Sequence, residues 1–486
     1  MATASVWRRA AASPGWPEVV IAAAVLGVVA LGVLAPLALV VLAAATLVVA
    51  ALARRPYFIV AAMILLMGNV KVNYYLGFFT VFPEYLLLVL ASLLAFAAWL
   101  ARPQWPSERR LVLAFLVWTF TGLLSVPFAA AVSRVLPRVV LVGLAMVTWL
   151  TVVILVDTRE RVWRALALWE IAATGYAIYG IVQMIGLVAG FDTSLTFLKG
   201  ISNPDLFVGV GAPVVRRIGD VFRANSMFND PNILGGFLAA AMTMTLALRE
   251  FHSEAGRRAR AAFEVLALGI MGTCLLLTQS RSGALAFLVG AGVVFTQRPR
   301  SLGRPSLWLS VAAGAAAIVG VALLLGVDYT LLFSRFAAIS DTNDTSNKQH
   351  LEVFLYGLQL IARYPLTGVG LGNFGLFYGP ERDAMYPKMM SHSAPLTYFA
   401  ESGIPGGLAF VGLWFLLLRR VWRAEPPATD PGMRAVRLGL FASLIAVLVA
   451  NVFYDYILRT FVWVIAGLAV CGARLVVRES TPRPVA

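Results

Sequence analysis

The stretch that decides the fold class is "LPRVVLVGLAMVTWLTVVILV", residues 136–156. Residues 139–156 contain no Asp, Glu, Lys or Arg. A helix of about 20 apolar residues is long enough to cross the ~30 Å hydrocarbon core of a bilayer. We therefore predict a membrane-spanning helix at this position.

Apolar stretches of this length recur along the whole chain. Of its 486 residues, 60% are hydrophobic and 13% are charged, whereas a soluble domain averages about 25% charged residues. The pattern predicts an all-α polytopic integral membrane protein with 12–14 transmembrane helices, the lower count applying if an N-terminal hairpin does not cross. The predicted spans are 17–35, 36–53, 57–70, 82–100, 110–130, 136–156, 162–190, 231–248, 263–280, 282–297, 307–327, 395–418, 438–456 and 460–476.

The net charge of +15 lies on one side of these spans. Alternate connections hold 25 basic and 10 acidic residues, which is the whole excess of the chain. Short loops rich in Lys and Arg face the cytoplasm in membrane proteins. The charge therefore predicts the orientation of the protein, and it argues against a nucleic-acid partner.

This orientation places two long connections outside the cytoplasm. It divides the chain into N-terminal transmembrane helices (1–190), a first periplasmic loop (191–230), central transmembrane helices (231–327), a large periplasmic loop (328–394), and C-terminal transmembrane helices with a cytoplasmic tail (395–486). We predict that the informative polar chemistry lies on the outer face.

The large loop carries its own local patterns. Leu351, Phe354, Leu355, Leu358 and Ile361 follow helical spacing, which predicts an amphipathic helix on the membrane or on the bundle. A capping box precedes this helix and a proline ends it. A later G-x-G-x-x-G match has no strand and helix around it, so it indicates a tight corner rather than a nucleotide site. The only two cysteines lie in apolar stretches, so no disulfide is expected.

Basic side chains gather on the predicted outer face. Arg223 lies at the end of the first loop, shortly before Asp230 and Pro231, an N-cap and first-turn proline that predict a helix start. Arg281 lies between Ser280 and Ser282 at a turn joining two spans. A planar guanidinium binds two phosphate oxygens at once, so we expect an anion site, although snorkelling to lipid headgroups would also explain the pattern. The further loop candidates are Arg216, Arg217, Arg335, Arg382 and Lys388.

One histidine lies beside this basic surface. His392, in "MMSHSAPLTYFAESGIPGG" (389–407), precedes a predicted span that carries Glu401 nearly two turns in. A neutral imidazole can take the proton of an attacking hydroxyl, so His392 is a candidate base; a capping or interfacial histidine is the alternative. No cluster of His, Cys or carboxylates has metal-ligand spacing, so we predict neither a metal nor a cofactor.

The order of four motifs resembles the O-antigen ligase superfamily. The motifs are "FRANSMFNDPN" (222–232), "SRSG" (280–283), "PLTGVGLGNF" (365–374) and "SHSAPLTYFAESGIPGG" (391–407). The superfamily includes O-antigen ligases, O-antigen polymerases and protein O-oligosaccharyltransferases. The resemblance covers about residues 200–420, and the family often has Asn where this chain has Ser393.

The resemblance implies a GT-C-like architecture in the bacterial inner membrane, with the active site facing the periplasm. It implies transfer of O-antigen from undecaprenyl diphosphate to a lipid A-core sugar, without metal and with inversion of the anomeric centre. The family's histidine maps onto His392, and its two arginines map onto Arg223 and Arg281. The implied partners are the lipid-linked glycan, the lipid A-core acceptor and membrane lipids. The family pattern also has an acidic residue near Glu401, which is therefore a candidate to orient a neighbour, to pair with an arginine or to bind substrate.

Three alternatives remain open on the sequence. A polymerase or a protein O-oligosaccharyltransferase of the same superfamily would use the same donor with another acceptor. A transporter or flippase of the lipid-linked glycan would favour ionisable residues deep in several spans. Glu170 is the one obvious mid-span acid, which disfavours transport.

Overall fold

The computed structural model describes the following residues: 57–68, 72–75, 80–81, 88–90, 92–93, 108–189, 208–210, 216–218, 221–298, 316, 320, 345–378 and 391–480. The chain forms two compact units, Met1–Phe58 and Ile59–Ala486. The elements and contacts below are those of the second unit and of the short helix that begins at Tyr57.

Helices make up most of the described chain. In chain order the elements are α1 (Tyr57–Leu66), β1 (Val72–Tyr75), β2 (Thr80–Val81), α2 (Arg109–Leu124), a 3₁₀ turn (Val126–Phe128), α3 (Val132–Leu155), α4 (Arg159–Ala189), β3 (Val208–Val210), β4 (Arg216–Ile218), β5 (Val221–Arg223), α5 (Pro231–Glu254), α6 (Arg258–Thr278), α7 (Arg281–Gln297), α8 (Thr345–Arg363), α9 (Phe374–Tyr378), α10 (Ala394–Trp422), α11 (Pro431–Phe453) and α12 (Thr460–Ser480).

Seven described helices are long and apolar enough to cross a membrane: α2 with its 3₁₀ turn, α3, α4, α5, α6, α10 and α11. Three shorter apolar helices are α1, α7 and the Thr460–Val476 part of α12. The polytopic all-α class is thereby confirmed. Four predicted spans lie wholly or mostly outside the described residues: 17–35, 36–53, 82–100 and 307–327. The total of 12–14 transmembrane helices therefore stays a prediction.

Five short strands accompany the helices. β1 pairs with both β2 and β3 in antiparallel fashion, and β4 pairs with β5 in a two-stranded ribbon. Strands of two to four residues are too short to show an alternating pattern, which is why the sequence did not predict them. The ribbon is the one that matters for the site, because it ends at Arg223.

Local capping fixes where the site helices begin. Asp230 accepts a hydrogen bond from the backbone N–H of Asn232 (2.8 Å), with Pro231 at the first helical position of α5, as its sequence predicted. Ser280 caps α7 by accepting from Gly283 N (3.1 Å). These caps set Arg223 and Arg281 beside helix ends.

Helix α5 is the centre of the bundle. In its most apolar window, 94% of the residues are buried, and it packs against α6, α7 and α11. At its start the backbones of α5 and α7 nearly touch: a Cβ on Gly283 would lie 2.7 Å from the carbonyl carbon of Gly235. Any larger residue at position 283 would push the two helices apart.

The bundle has two chemically different ends. At one end, which we name the His392 end, lie the first residues of α3, α5, α7, α10 and α12 and the last residues of α4, α6 and α11. The opposite end, which we name the arginine-rich end, is tied by ion pairs such as Arg298–Glu254 (3.0 Å) and Arg420–Glu108 (3.0 Å). The predicted cytoplasmic residues of the described helices lie at this second end.

The predicted amphipathic helix is present as α8 and ends just before Pro365. Its inner side packs on α10, where Gly357 meets the Leu396 side chain, and Val353 and Leu360 are buried. Its predicted apolar face is exposed: Leu351 and Leu355 are 59% and 50% accessible. The helix therefore lies on the bundle and presents a second apolar face outward.

Candidate functional site

His392 lies in a strained turn immediately before α10. Its φ of 53° is in the left-handed region, which costs a non-glycine residue about 1–3 kcal/mol and persists only when the surroundings fix it. Here the backbone N–H of Ser393 donates to the Ser391 hydroxyl (3.2 Å), and that hydroxyl also bonds the hydroxyl of Thr397. The half-buried imidazole is thus held at a defined place.

Two rings from other elements contact the imidazole. The His350 ring of α8 lies 4.8 Å from the His392 ring, centroid to centroid, in an edge-to-face arrangement. The Tyr454 ring, which follows α11, lies 5.3 Å away. Nothing in the local sequence around His350 indicates that α8 brings it beside a residue 42 positions later, so its place at the site was not predicted.

A polar chain continues from the turn into the bundle. Thr397 Oγ1 donates to the carboxylate Oδ2 of Asp455 (3.3 Å). The same oxygen accepts from Arg138 Nη2 (3.4 Å). Asp455 is 3% exposed and Arg138 is 25% exposed at the side chain. The His392 turn is therefore anchored to α3 through two polar contacts.

Sequence reasoning missed Arg138 and Asp455 as members of this cluster. On sequence alone, the i, i+4 spacing of Asp455 and Arg459 predicts a local ion pair at a helix end. The structure instead sets Asp455 against Arg138, while Arg459 Nη2 donates to Asn229 Oδ1 (3.2 Å). One feature of the sequence could have indicated this cluster: Arg138 is a charged residue near the outer end of a predicted span, where charged residues usually have a partner.

Arg223 is buried at the turn between α6 and α7. Only 3% of its surface is exposed. Its Nε donates to the carbonyl oxygen of Thr278 (2.7 Å), and its Nη2 donates to Asn232 Oδ1 (2.9 Å). The guanidinium therefore joins the last turn of α6 to the first turn of α5.

Arg281 is the first residue of α7 and is partly exposed. Three positions separate it from Thr278, to which Arg223 is bonded. The tight turn is made by Gln279, whose φ of 51° is left-handed. The structure thus brings the two predicted arginines to the same helix turn, although 57 intervening residues separate them.

The connection between α11 and α12 joins the arginine pair to the histidine. Tyr454 contacts His392, Asp455 contacts Arg138, and Arg459 reaches Asn229, one residue before the cap of α5. Between them, Tyr456 packs on α5, and burial raises the pKa of its phenol, which stays neutral. His392, Arg223 and Arg281 therefore all lie at the His392 end.

The remaining predicted basic residues are described only in part. The β4–β5 register places Arg216 opposite Arg223 and Arg217 opposite Phe222, so the backbone brings Arg216 next to the site. Their side chains are not described. The positions that lie outside the described residues altogether are Arg335, Arg382 and Lys388.

Glu401 holds a backbone corner. Its carboxylate accepts from the backbone N–H of Gly372 (2.7 Å) and from that of Phe374 (3.0 Å), the first residue of α9. The residue is 3% exposed. Since both oxygens already accept a hydrogen bond, we assign Glu401 as a positioning residue; direct contact with substrate stays a prediction.

The glycine-rich segment forms the tight corner that the sequence indicated. Gly368 has φ of +65°, and a Cβ there would lie 2.3 Å from the carbonyl carbon of Glu401. Helix α10 kinks at Ser402 and Gly403 to admit this corner. Asn373 then bonds the backbone of Ala131 (2.9 Å), seven residues before Arg138.

No group of three His, Cys, Asp or Glu side chains in the described ranges could hold a metal ion. The two cysteines, Cys274 and Cys471, are buried and free, as expected.

Residues 266–411 match a family model described as O-antigen ligase. The match covers 146 of the 486 residues and includes Arg281, His350, His392 and Glu401, while Arg223 lies outside it. It confirms the resemblance to the O-antigen ligase superfamily and supports a ligase-type or polymerase-type role. A comparison with curated proteins finds no match.

Proposed function

We propose, from the match of residues 266–411 to the O-antigen ligase family, that this protein is a membrane glycosyltransferase. It moves O-antigen glycan from undecaprenyl diphosphate to a sugar hydroxyl of the lipid A core. One observation carries the proposal: the strained His392 turn and the Arg223–Arg281 turn lie at the same end of the bundle, joined by the connection 454–459. A base and two fixed cations near one surface suit transfer from a lipid diphosphate.

The proposed reaction is a single displacement. The His392 imidazole takes the proton of the acceptor hydroxyl as its oxygen attacks the anomeric carbon of the glycan. The bond from that carbon to the diphosphate oxygen breaks, and undecaprenyl diphosphate leaves with the electron pair. Attack opposite to the leaving group inverts the anomeric configuration. The imidazolium then returns its proton to solvent.

The arginines stabilise the leaving group in this proposal. Negative charge grows on the bridging oxygen as the glycosidic bond breaks, and a fixed guanidinium lowers the energy of that charge without reorganising. Arg281 is partly exposed at the start of α7, and this exposure makes it our candidate for contact with the phosphate. Arg223 is buried under it and holds the α6–α7 turn in place, so its contribution includes positioning. Guanidinium groups in this role make a metal ion unnecessary.

The neighbours of His392 orient it. The His350 and Tyr454 rings limit rotation of the imidazole. The Arg138–Asp455–Thr397 chain fixes the backbone turn that carries it. We further propose that this end faces the periplasm of the inner membrane, in accordance with the arginines at the opposite end.

The test supplies purified protein with undecaprenyl-diphosphate-linked glycan and one of two acceptors. Lipid A core is offered in one reaction, and a second lipid-linked glycan is offered in the other. Glycosylated lipid A core is the expected product, and it is lost when His392→Ala protein is used. Extended lipid-linked glycan as the only product would identify a polymerase instead.

Two further outcomes would contradict the proposal. Glycosylation of an acceptor peptide but not of lipid A core would identify a protein O-oligosaccharyltransferase. No product with any acceptor, together with movement of the lipid-linked glycan across proteoliposome membranes, would identify a transporter. Near-normal transfer by His392→Ala protein would remove the assignment of His392 as the base.

A further inference from the structure

A cavity of about 690 Å³ opens at the arginine-rich end, opposite to His392. It lies between the first turns of α4, the last turns of α5, the start of α6 and the start of α11. Its lining residues belong to none of the groups that the proposed transfer reaction uses. Whatever it binds is therefore a second ligand.

The inner wall of the cavity is apolar and aromatic. Trp163 of α4 packs against Phe251 of α5, with 5.7 Å between the ring centroids, and against His252 (5.8 Å). Leu166 and Leu248 complete this wall. An apolar wall of this kind suits a hydrocarbon chain rather than a free polar ion.

The rim of the cavity is positive. Arg164, Arg257 and Arg260 line it, against the two carboxylates of Glu160 and Asp430. Both carboxylates have cationic partners: Glu160 bonds Arg164 (2.5 Å), and Asp430 bonds Arg159. The acids of the rim are thus neutralised by arginine within the same surface.

Two of the rim arginines, Arg260 and Arg257, have different side-chain partners. Arg260 is fixed by the buried carboxylates of Glu170 and Glu264. Arg257 is exposed and lies with its guanidinium over the Phe251 ring, 5.6 Å from the centroid. Among the described residues, no carboxylate forms an ion pair with Arg257. Its guanidinium is therefore the donor available to an incoming anion.

We propose that this cavity binds an anionic phospholipid. The Arg257 guanidinium contacts the phosphate, and one acyl chain lies along Trp163, Leu166 and Phe251. Basic pockets between transmembrane helices at the headgroup level recognise anionic lipids in this way. The inference stands apart from the proposed glycosyl transfer, since it uses other residues at the other end of the bundle.

Native mass spectrometry of the purified full chain in detergent tests the proposal. Phosphatidylglycerol and phosphatidylcholine are titrated separately, and retained lipid is counted per protein. We expect one phosphatidylglycerol held in preference to phosphatidylcholine. Arg257→Gln should weaken its apparent affinity about tenfold, as loss of a charge-assisted contact does. Arg258→Gln is the matched control, because Arg258 is the next residue, also exposed, but does not line the cavity.

A second variant tests the acyl-chain contact separately from charge. Ala167→Phe places a ring in the part of the cavity proposed for the acyl chain and keeps every rim arginine, so it should also weaken the retention of phosphatidylglycerol. Thermal unfolding without added lipid confirms that each variant is folded. The proposal is overturned if Arg258→Gln weakens binding as much as Arg257→Gln, which would indicate general surface attraction. It is also overturned if inorganic phosphate raises the unfolding temperature as much as phosphatidylglycerol does.

Discussion

Arg138 and Asp455, 317 positions apart in the chain, form an ion pair with 3.4 Å between Nη2 and Oδ2. The same carboxylate oxygen accepts from Thr397, which lies one turn into the helix that follows His392. The pair therefore connects the start of α3 to the turn that carries the proposed base. Its expected role is to position His392 rather than to touch substrate.

Neutralising either partner of this pair should slow transfer. We expect Asp455→Asn and Arg138→Gln each to lower kcat about tenfold, because the His392 turn loses part of its support. If the two act as one unit, the double variant should be about as slow as either single variant. The kcat values of the single and double variants are obtained from initial rates with saturating lipid-linked glycan. A hundredfold loss in the double variant would show that the two residues act independently.

The two outer histidines should differ in the size of their effect. His392→Ala is expected to lower kcat at least a hundredfold, which is the ordinary contribution of a general base. His350→Ala removes the ring that packs against the His392 imidazole and should lower kcat about tenfold. Lys348→Gln, two residues earlier and exposed, is the control. Equal losses for both histidine variants would indicate that His350 takes part in proton transfer.

Substitution of Arg223 and substitution of Arg281 should differ in their effect on the stability of the protein. Arg223→Ala leaves the Thr278 carbonyl and the Asn232 side chain without their donor in a buried place, which costs about 1–3 kcal/mol of unfolding free energy. Arg281→Ala, at a partly exposed position, should abolish transfer with a much smaller change in unfolding temperature. Thermal unfolding in detergent, beside the activity assay, makes the comparison. A larger loss of stability in Arg281→Ala would reverse these roles.

Glu401 should prove structural. Gln at this position can accept one of the two backbone hydrogen bonds but offers its NH₂ group to the other backbone N–H, so Glu401→Gln should lower the unfolding free energy by about 1–3 kcal/mol. Glu352→Gln, on the exposed side of α8, is the control for the same substitution at an exposed position. If Glu401→Gln instead raised KM for the lipid-linked glycan without changing stability, substrate contact would be the better assignment.

Chelation should leave transfer intact. In the proposed mechanism guanidinium groups neutralise the leaving diphosphate, so EDTA is expected to change the initial rate less than twofold, an allowance of about 0.4 kcal/mol. The assay is the lipid A-core reaction with and without chelator. Complete loss of product in EDTA, restored by Mg²⁺, would contradict this role of the arginines.

Much of the local structure could be predicted because it depends on neighbouring residues. The Asp230–Pro231 start of α5 was predicted from capping chemistry alone, and so was the end of α8 before Pro365. The Gly370–Gly375 corner was likewise expected, since glycine tolerates backbone conformations closed to other residues. For α11 the prediction was less accurate: the helix begins at Pro431, seven residues before the predicted start, because Asp430 caps it.

The sequence by itself determined the membrane class, the two unlike ends of the bundle and the candidacy of His392, Arg223 and Arg281. Hydropathy, charge and capping depend on residues that are close together in the sequence or in one loop, so they can be recognised without the tertiary structure. Only the tertiary structure decided that the His350 and Tyr454 rings contact the His392 ring and that Arg138 pairs with Asp455. These contacts join residues from 42 to 317 positions apart, and no local pattern encodes such a distance. They arise from how the helices pack.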